Sequence, residues 1–339
     1  MALMTDLITP AELTGYARES MSAYEARKGS LAAWLPNRFV EDIAVRFVAG
    51  QNGLVDEASF RAYGAAPEVG KLQPGKRVIL ELPALGQNVP LDEYTKLRAR
   101  NASSDAIIRH ITAQTETAVR AVADAIERLR GIVLTTGKAT INQANFKSED
   151  DFGRSVDMSP TAATLWTASG ARVLDDLNAW ADKYGEVNGD RPGVILVSKR
   201  VARLISRAPE FQLKLVDGGV RPAGLSDVND ILAGQDLPSL HIYDRRTKSG
   251  RVIPDDRLFL LPDPVGSSDF EDTELGGTFW GLTESATKPR WEIAESEQPG
   301  IVVAAFEGEK PGEPTEVISD AIALPVLANA NLSLAAKVA

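Results

Sequence analysis

One amphipathic segment, between residues 105 and 137, constrains the fold of this chain more than any other feature. Apolar residues recur there at spacings of mostly three and four, and charged residues fill the opposite face, as in a surface helix. The apolar positions are Ile108, Ile111, Ala118, Val119, Val122, Ile126, Leu129 and Val133. The charged positions are Arg109, Glu116, Arg120, Asp124, Glu127, Arg128 and Arg130. At 1.5 Å per residue the predicted helix is about 45 Å long, which exceeds the usual length of a globular helix.

Two glycines bear on the extent of this helix. Gly131 costs about 1 kcal/mol relative to alanine inside a helix. Gly137 is placed to end the helix, since glycine adopts the positive φ of a C-terminal cap without strain.

A long hairpin is predicted between residues 51 and 90, a stretch rich in Gly and Pro. Its clearest turn is Gln73-Pro74-Gly75-Lys76, where Pro presets the second turn position and Gly accepts a positive φ at the third. The following strand, residues 78–85, presents apolar side chains on both faces. Because a two-stranded ribbon is not stable by itself, we expect it to lie on another surface.

The remaining segments alternate between the two kinds of element. A helix is predicted to begin at Thr9-Pro10-Ala11-Glu12. Later helices are predicted at residues 168–184, at 199–207 and from the N-cap Ser226, with strands at 139–146, 194–197, 240–244 and 258–261. The pattern predicts an α+β fold, and 339 residues suffice for about two domains.

Composition excludes several classes of protein. The chain has no Cys and only two His, so a disulfide framework, a thiolate zinc site and a cysteine nucleophile are excluded, and a histidine-rich metal site is not expected. The net charge is −10, and residues 265–320 alone carry thirteen acidic against three basic residues. Without a basic tract, tight binding to a phosphate backbone is not expected.

Targeting and membrane signals are not expected either. Residues 1–12 lack the basic start and apolar run of a targeting signal. The longest apolar stretches, such as residues 301–306, fall far short of the ~20 residues of a spanning helix. These features predict a protein made in a reducing cytoplasm and kept there or in an assembly formed there.

Candidate catalytic groups are sparse. Asp175-Asp176, Asp255-Asp256 and the run Glu149-Asp150-Asp151 could supply acid and base groups, but adjacent residues point in different directions, which favours solvated loops and helix faces. His110 and His241 are interpreted as hydrogen-bonded structural residues. Phosphate-binding glycine loops, the nucleophile elbow and the HExxH zinc motif are missing from the sequence. No catalytic, cofactor-binding or metal residue is predicted.

Three short motifs follow the long helix in order. The first is Leu134-Thr135-Thr136-Gly137-Lys138-Ala139 with, after a strand, Asp151-Phe152-Gly153-Arg154-Ser155. The second is Val252-Ile253-Pro254-Asp255-Asp256-Arg257-Leu258, and the third lies in residues 319–327, with Ile322, Ala323, Leu324, Pro325 and Val326. In order and spacing these motifs resemble the major capsid protein family of lambda-type tailed bacteriophages.

The resemblance implies the Hong Kong 97-type capsid fold. It assigns residues 1–50 to an N-terminal arm and residues 51–91 to an extended hairpin loop. A peripheral domain with a long spine helix would comprise residues 92–160 and 263–320, and an axial domain residues 161–262 and 321–339.

The function implied by the resemblance is that of a major capsid protein, not an enzyme. Copies would assemble as hexamers and pentamers into an icosahedral head enclosing double-stranded DNA without sequence-specific binding. Expected partners are a decoration protein, a scaffold, a maturation protease and the portal, and the shell would form in the host cytoplasm and become part of the virion. Some relatives crosslink through a hairpin lysine, for which Lys71 and Lys76 are the candidates here.

Two alternatives stay open from the sequence. A bacterial nanocompartment shell protein would have the same fold but would enclose a cargo enzyme. A cytosolic acidic α+β hydrolase using the Asp pairs would instead be a small oligomer with a pocket.

Overall fold

The computed structural model describes residues 2–49, 76–91, 104–144, 146–214, 220–265, 273–308 and 314–339. The helices in these ranges are α1 (Pro10–Lys28), α2 (Ser104–Thr136), α3 (Val173–Asn188), α4 (Lys199–Arg207) and α5 (Leu225–Ala233). The strands of the first part are β1 (Ala2–Leu3), β2 (Asn37–Phe39), β3 (Ala44–Ala49), β4 (Lys76–Glu81), β5 (Ala84–Leu91), β6 (Lys138–Asn142) and β7 (Lys147–Asp151). Those of the second part are β8 (Val194–Val197), β9 (Gln212–Lys214), β10 (Val220–Pro222), β11 (Ser239–Ile242), β12 (Arg246–Thr247), β13 (Gly250–Arg251), β14 (Arg257–Leu261), β15 (Gly276–Trp280), β16 (Val302–Glu307), β17 (Thr315–Leu327) and β18 (Leu334–Lys337). The predicted α+β class is confirmed.

The predicted long helix is present as α2, and Gly137 ends it with φ +72°. The apolar stripe predicted for α2 is buried over most of its length. Val119, Val122 and Ile126 pack against α1 and the first sheet, whereas Leu129 and Val133 belong to a second core. One helix therefore connects two hydrophobic cores.

Helix α1 begins where the sequence predicts. The Thr9 hydroxyl accepts a hydrogen bond from the Glu12 N–H at 3.2 Å, and the Glu12 carboxylate accepts one from the Thr9 N–H at 3.0 Å. This reciprocal pair is a capping box, with Pro10 at the first helical position.

The first sheet has six strands centred on β17, a strand of 13 residues. Strand β17 pairs antiparallel with β5, β16 and β15, and β2 lies parallel beside β15. Inward-facing residues of β17, such as Val317, Ala321 and Ala323, contact the apolar stripe of α2. The sheet thus provides the long packing surface that the helix requires.

The second sheet has the strand order β11-β8-β14-β18. Strands β8 and β11 run parallel, as a crossover through α4 and α5 requires, and the other pairs are antiparallel. All four residues of β8 are buried, which explains why this strand appears in the sequence as an uninterrupted apolar run.

Three predicted boundaries are wrong by a few residues. Helix α3 begins at Val173 instead of residue 168, because Gly170 has φ +84° and lies outside the helix. Helix α5 has Gly224 as its N-cap, with the Asp227 carboxylate accepting from the Gly224 N–H at 2.8 Å, so Ser226 lies inside the helix.

The third correction concerns residues 139–151. The predicted single strand is a hairpin of β6 and β7. The acidic run Glu149-Asp150-Asp151 therefore lies in β7 and not in a loop. Lys138 of β6 pairs with Glu149 at 3.2 Å and with Asp151 at 3.0 Å.

The predicted hairpin differs from the observed ribbon in its pairing. Strand β4 pairs with β3, with Ala49 opposite Lys76, so the ribbon begins within the predicted N-terminal arm and not at residue 51. Residues 50–75, including most of the predicted turn, lie outside the described residues. A turn motif specifies a local chain reversal, whereas this register joins segments distant in sequence.

The predicted need of the second hairpin strand for an outside partner is also only partly correct. Leu80 and Leu82 are buried in the chain's own second core together with Val45. Ile79, on the other face of β4, is 66% exposed.

The division into peripheral and axial domains stays a prediction. Its boundary at residues 320 and 321 lies inside β17, which remains paired with the first sheet as far as Leu327. Within the described residues no helix is long and apolar enough to cross a membrane.

Candidate assembly interface

The first motif closes the C-terminal end of α2. The Arg154 guanidinium donates hydrogen bonds to the carbonyl oxygens of Val133, Leu134 and Thr135 at 3.2, 2.6 and 3.2 Å. The last carbonyls of a helix lack the partners that earlier ones have, and a cation there is favourable. The guanidinium also donates to the Ser333 hydroxyl at 2.8 Å. Burial lowers the pKa of Arg154 to about 10, so it stays charged at neutral pH and ties the helix end to the segment before β18.

The second motif contacts both α2 and the last residues of the chain. A Cβ built on Gly131 would lie 2.2 Å from the carbonyl oxygen of Val252, so the two backbones meet at a distance that only glycine permits. The Asp256 carbonyl accepts hydrogen bonds from the N–H groups of Val338 and Ala339 at 2.8 and 3.2 Å. Gly131 is therefore a contact point and not a break in the helix.

The third motif is the central strand of the first sheet. The Ser319 hydroxyl accepts a hydrogen bond from the Gln87 N–H at 3.0 Å, joining β17 to β5. Pro325 lies opposite Thr278 of β15. All three motifs thus mark joints between elements.

A cluster of buried polar side chains, here called the central junction, lies where α2 passes from the first core to the second. Its members are Glu25, Ser30, Asn37, Glu127, Arg130, Tyr243, Arg245 and Thr278. The Arg130 and Glu127 side chains are both 0% exposed and lie 2.9 Å apart.

Arg130 uses its whole guanidinium in the central junction. Nη1 lies 2.8 Å from a Glu25 carboxylate oxygen, Nε donates to the Thr278 hydroxyl at 2.9 Å, and Nη2 donates to the Asn37 side-chain oxygen at 2.5 Å. These partners come from α1, β15 and β2. One side chain of α2 therefore holds three other elements in position.

The Glu127 carboxylate is satisfied in the same way. It accepts hydrogen bonds from the Leu31 N–H at 2.7 Å, from the Ser30 hydroxyl at 2.8 Å and from the Tyr243 hydroxyl. Arg245 lies 3.8 Å away and donates to the Gly29 carbonyl at 2.9 Å. Tyr243 and Arg245 follow β11, so the central junction joins the two sheets.

Charge pairing outweighs burial in the central junction. Burial alone would raise the pKa of Glu127, but the charge of Arg130, the Tyr243 hydrogen bond and the charge of Arg245 together lower it. Burial would likewise lower the pKa of Arg130, but Glu25 and Glu127 raise it. Both groups are therefore held in their charged forms.

The prediction that Glu127 and Arg130 lie on the outer face of the helix is wrong, since both are fully buried. Each follows a buried residue by four positions, Glu127 after Ala123 and Arg130 after Ile126. That spacing, on the flank of the apolar stripe, is the signal that could have indicated their burial.

Carboxylates of the two Asp pairs form ion pairs and hydrogen bonds with neighbouring side chains. Asp175 pairs with Arg172 at 2.6 Å, and the Asp176 carboxylate accepts a hydrogen bond from the Trp166 indole at 2.8 Å. Asp255 lies 3.5 Å from Arg200.

The two histidines are also apart from one another. His241 packs edge-on against Trp34, with ring centroids 5.3 Å apart, whereas His110 lies exposed on α2. The described residues contain no group of three or more His, Cys, Asp or Glu side chains that could hold a metal ion.

An open groove of about 1210 Å³ runs along α2. One wall is β5, with Leu85, and the other is the β6–β7 hairpin, with Ile141 and Phe146. Phe146 is 47% exposed, and Ile132 of α2 also lines the groove. The groove therefore offers apolar contacts along a path parallel to the helix.

The β3–β4 ribbon is a second surface with exposed apolar side chains. Ile43 and Ile79 are 58% and 66% exposed, which leaves apolar side chains of the ribbon without cover from the described residues. Of the two candidate crosslinking lysines, Lys71 lies outside the described residues and Lys76 begins β4.

No protein-family model and no curated protein matches the sequence. Solved structures do match. The chain is similar to a candidate capsid protein of a prophage of E. coli CFT073, with a TM-score of 0.65 and 14% identity, over 98% of this chain and 99% of that one. It is also similar to a phage-related protein from Bordetella bronchiseptica RB50, with a TM-score of 0.55 and 14% identity, over 99% of this chain and 97% of that one. Likeness over nearly the whole length of both partners establishes the fold.

Proposed function

We propose that this chain, which has the Hong Kong 97-type capsid fold, is the major capsid protein of a tailed bacteriophage. Copies of it would assemble as hexamers and pentamers into the icosahedral head shell around double-stranded DNA. Its role is structural, and its working surfaces are contacts between copies.

The observation that carries this proposal is that one subunit has both an open groove along α2 and a ribbon with exposed apolar side chains. The open groove along α2 is about 1210 Å³ in volume, and Leu85, Ile132 and Phe146 are among the apolar residues that line it. The ribbon exposes Ile43 and Ile79, and a two-stranded ribbon needs a surface to pack against. Both features make sense in a chain that completes its packing with a second copy.

The ribbon of one copy would lie on the groove of its neighbour. Ile79 would then contact the apolar lining near Leu85, Ile141 and Phe146. Val45, Leu80 and Leu82 anchor the base of the ribbon in its own core. The ribbon is thereby fixed in its own subunit while Ile43 and Ile79, beside these anchors, stay exposed.

The proposed peripheral domain comprises residues 92–160 and 263–320, and the axial domain residues 161–262 and 321–339. The peripheral part carries the acidic segment, in which Glu284, Glu292, Glu295, Glu297 and Glu307 are exposed. Repulsion of phosphate by this segment would keep the shell from adhering to packaged DNA, or the segment would lie on the outer face. Purified protein should therefore not bind duplex DNA with micromolar affinity at physiological salt, and such binding would contradict this placement.

The proposed partners are a scaffold, a decoration protein, a maturation protease and the portal. Assembly would take place in the host cytoplasm, and the product would be part of the virion.

Negative-stain electron microscopy of the purified chain tests the proposal. We expect rings of five or six copies, or closed shells. A homogeneous monomer or dimer at the concentrations used for assembly would overturn it. Shells that carry an enzyme as cargo, and no DNA when isolated from their natural host, would favour the nanocompartment alternative.

A further inference from the structure

A small apolar pocket lies at one edge of the second sheet. It has a volume of about 160 Å³ and lies between α4, α5 and the edge strand β11, with Ala202, Val228, Leu240 and Ile242 in its lining. Cavities of about 150 Å³ accept a benzene molecule. This pocket therefore has room for one aliphatic side chain.

The rim of this pocket is positively charged. Lys199 and Arg203 of α4 line it. With Arg207 they follow one another at intervals of four, which places the three cations on one face of the helix. All three are exposed, and among the described residues none of them forms an ion pair. The pocket thus suits an aliphatic side chain that is flanked by carboxylates.

Such a side chain protrudes at the opposite edge of the same sheet. Val156, in the 3-10 helix Val156–Met158, is 87% exposed, more than any other large apolar side chain of the described residues. The chain after it runs beside the edge strand β18, where Thr161 bridges Lys337. Met158, two residues later, is fully buried and fixes the position of Val156.

The surroundings of Val156 are acidic. Asp157 lies 3.5 Å from Lys183, which is also 3.8 Å from Glu186. Asp182 is exposed one turn before Glu186 on α3. The ammonium group of Lys183 thus lies between two carboxylates, and Asp182 adds a further negative charge to this surface, so the sign of the charge is opposite to that at the pocket.

We propose that Val156 of one copy inserts into the pocket between α4 and β11 of the next copy, with the acidic surroundings of Val156 facing Lys199 and Arg203. This inference rests on the proposed function, and it names one contact within the rings. The exposed Val156 side chain is here called the knob. Because the knob and the pocket lie at opposite edges of one sheet, the contact is head-to-tail, which is the arrangement that closes into rings.

Cysteine trapping tests the contact, because the chain has no cysteine of its own. In the double variant Val156→Cys with Ala202→Cys, a short bismaleimide should link successive copies. A denaturing gel of the assembled protein should then show a ladder that ends at five or six copies. Val156→Cys alone, and Val156→Cys paired with Thr287→Cys in the first-sheet part, are the controls and should give no ladder.

A charge placed on the knob gives a second readout. Val156→Lys should weaken ring formation by at least about tenfold, since its ammonium group would enter an apolar pocket beside Lys199 and Arg203. Val156→Ile should assemble like the wild type. Both variants should unfold at the wild-type temperature, because the side chain is exposed in the single subunit.

The outcomes separate this contact from the proposed function. If the wild type forms neither rings nor shells, both fail. If the wild type assembles but Val156→Lys assembles equally well, or the control pair gives the same ladder as the test pair, only this contact is wrong.

Discussion

Two Glu–Arg pairs on α2 have the same chemistry but differ in their exposure to solvent. Glu116 and Arg120 lie 2.7 Å apart with side chains 35% and 48% exposed, whereas Glu127 and Arg130 lie 2.9 Å apart with side chains 0% exposed. The first pair lies on a face of α2 that meets solvent, and the second lies in the central junction between the two cores. An exposed pair contributes little to stability, and a buried pair becomes costly to break. Position in the fold, and not residue type, decides what each pair does.

The largest effect is expected from a charge placed in the apolar stripe. Ile126 is 2% exposed, and Ile126→Asp would bury a carboxylate without a partner. We expect no soluble folded protein, measured as soluble yield and circular dichroism. Ala121→Asp, on the exposed face of the same helix, is the control and should fold. Equal yields from the two variants would show that the packing of α2 described here is wrong.

Breaking the buried pair should have the next largest effect. Arg130→Met leaves Glu25 and Glu127 buried with fewer partners, so we expect a loss of about 3–5 kcal/mol in the free energy of unfolding. Arg120→Met should cost about 0.5 kcal/mol or less. Urea unfolding of both variants measures the difference. Similar losses would mean that the two pairs are equivalent.

Two helical glycines extend the comparison to the backbone. Gly131→Ala would force a Cβ to within 2.2 Å of the Val252 carbonyl oxygen, and such overpacking costs about 1–3 kcal/mol. A Cβ on Gly15 of α1 would meet nothing within 4 Å, so Gly15→Ala should stabilise by about 0.5–1 kcal/mol. Thermal unfolding should therefore shift in opposite directions. A shift in the same direction would contradict the close approach at Gly131.

The smallest effect on stability is expected in its pH dependence. The pKa of Glu127 in the folded chain lies below its ordinary value of 4.5. The unfolded chain therefore binds more protons between these two values, and stability present above pH 4.5 is lost as the pH falls through this window. Glu127→Gln should flatten that part of the profile. An unchanged slope in Glu127→Gln would contradict the role of this carboxylate.

The sequence pattern was enough to predict those elements whose structure depends on residues close together in the chain. The capping box at Thr9, the α2 stripe, the buried run of β8 and helix α4 follow from spacing and residue type. The predicted motifs also lie at joints of the fold, and Arg154 gives one of them a physical role. These features depend on neighbours within a few positions.

The sequence could not place what depends on distant segments. Glu127 and Arg130 are ordinary helix-surface residues until the segment after β11 and strands β2 and β15 enclose them. The pairing of β3 with β4 joins strands on either side of residues 50–75, and no local turn signal specifies such a pairing. The knob at Val156 and its pocket lie at the two edges of a sheet whose strand order the sequence does not reveal.

The central claim is that folding of the subunit and assembly of the shell use different surfaces. Ile79 is 66% exposed, so Ile79→Asp places a charge on the ribbon surface proposed to contact the neighbouring groove while leaving the chain's own core intact. We expect this variant to unfold at the same temperature as the wild type but to sediment as smaller species than the wild-type rings or shells. Sedimentation velocity of the two proteins side by side measures this directly. Shells of normal size from Ile79→Asp, or loss of its cooperative unfolding, would contradict the account.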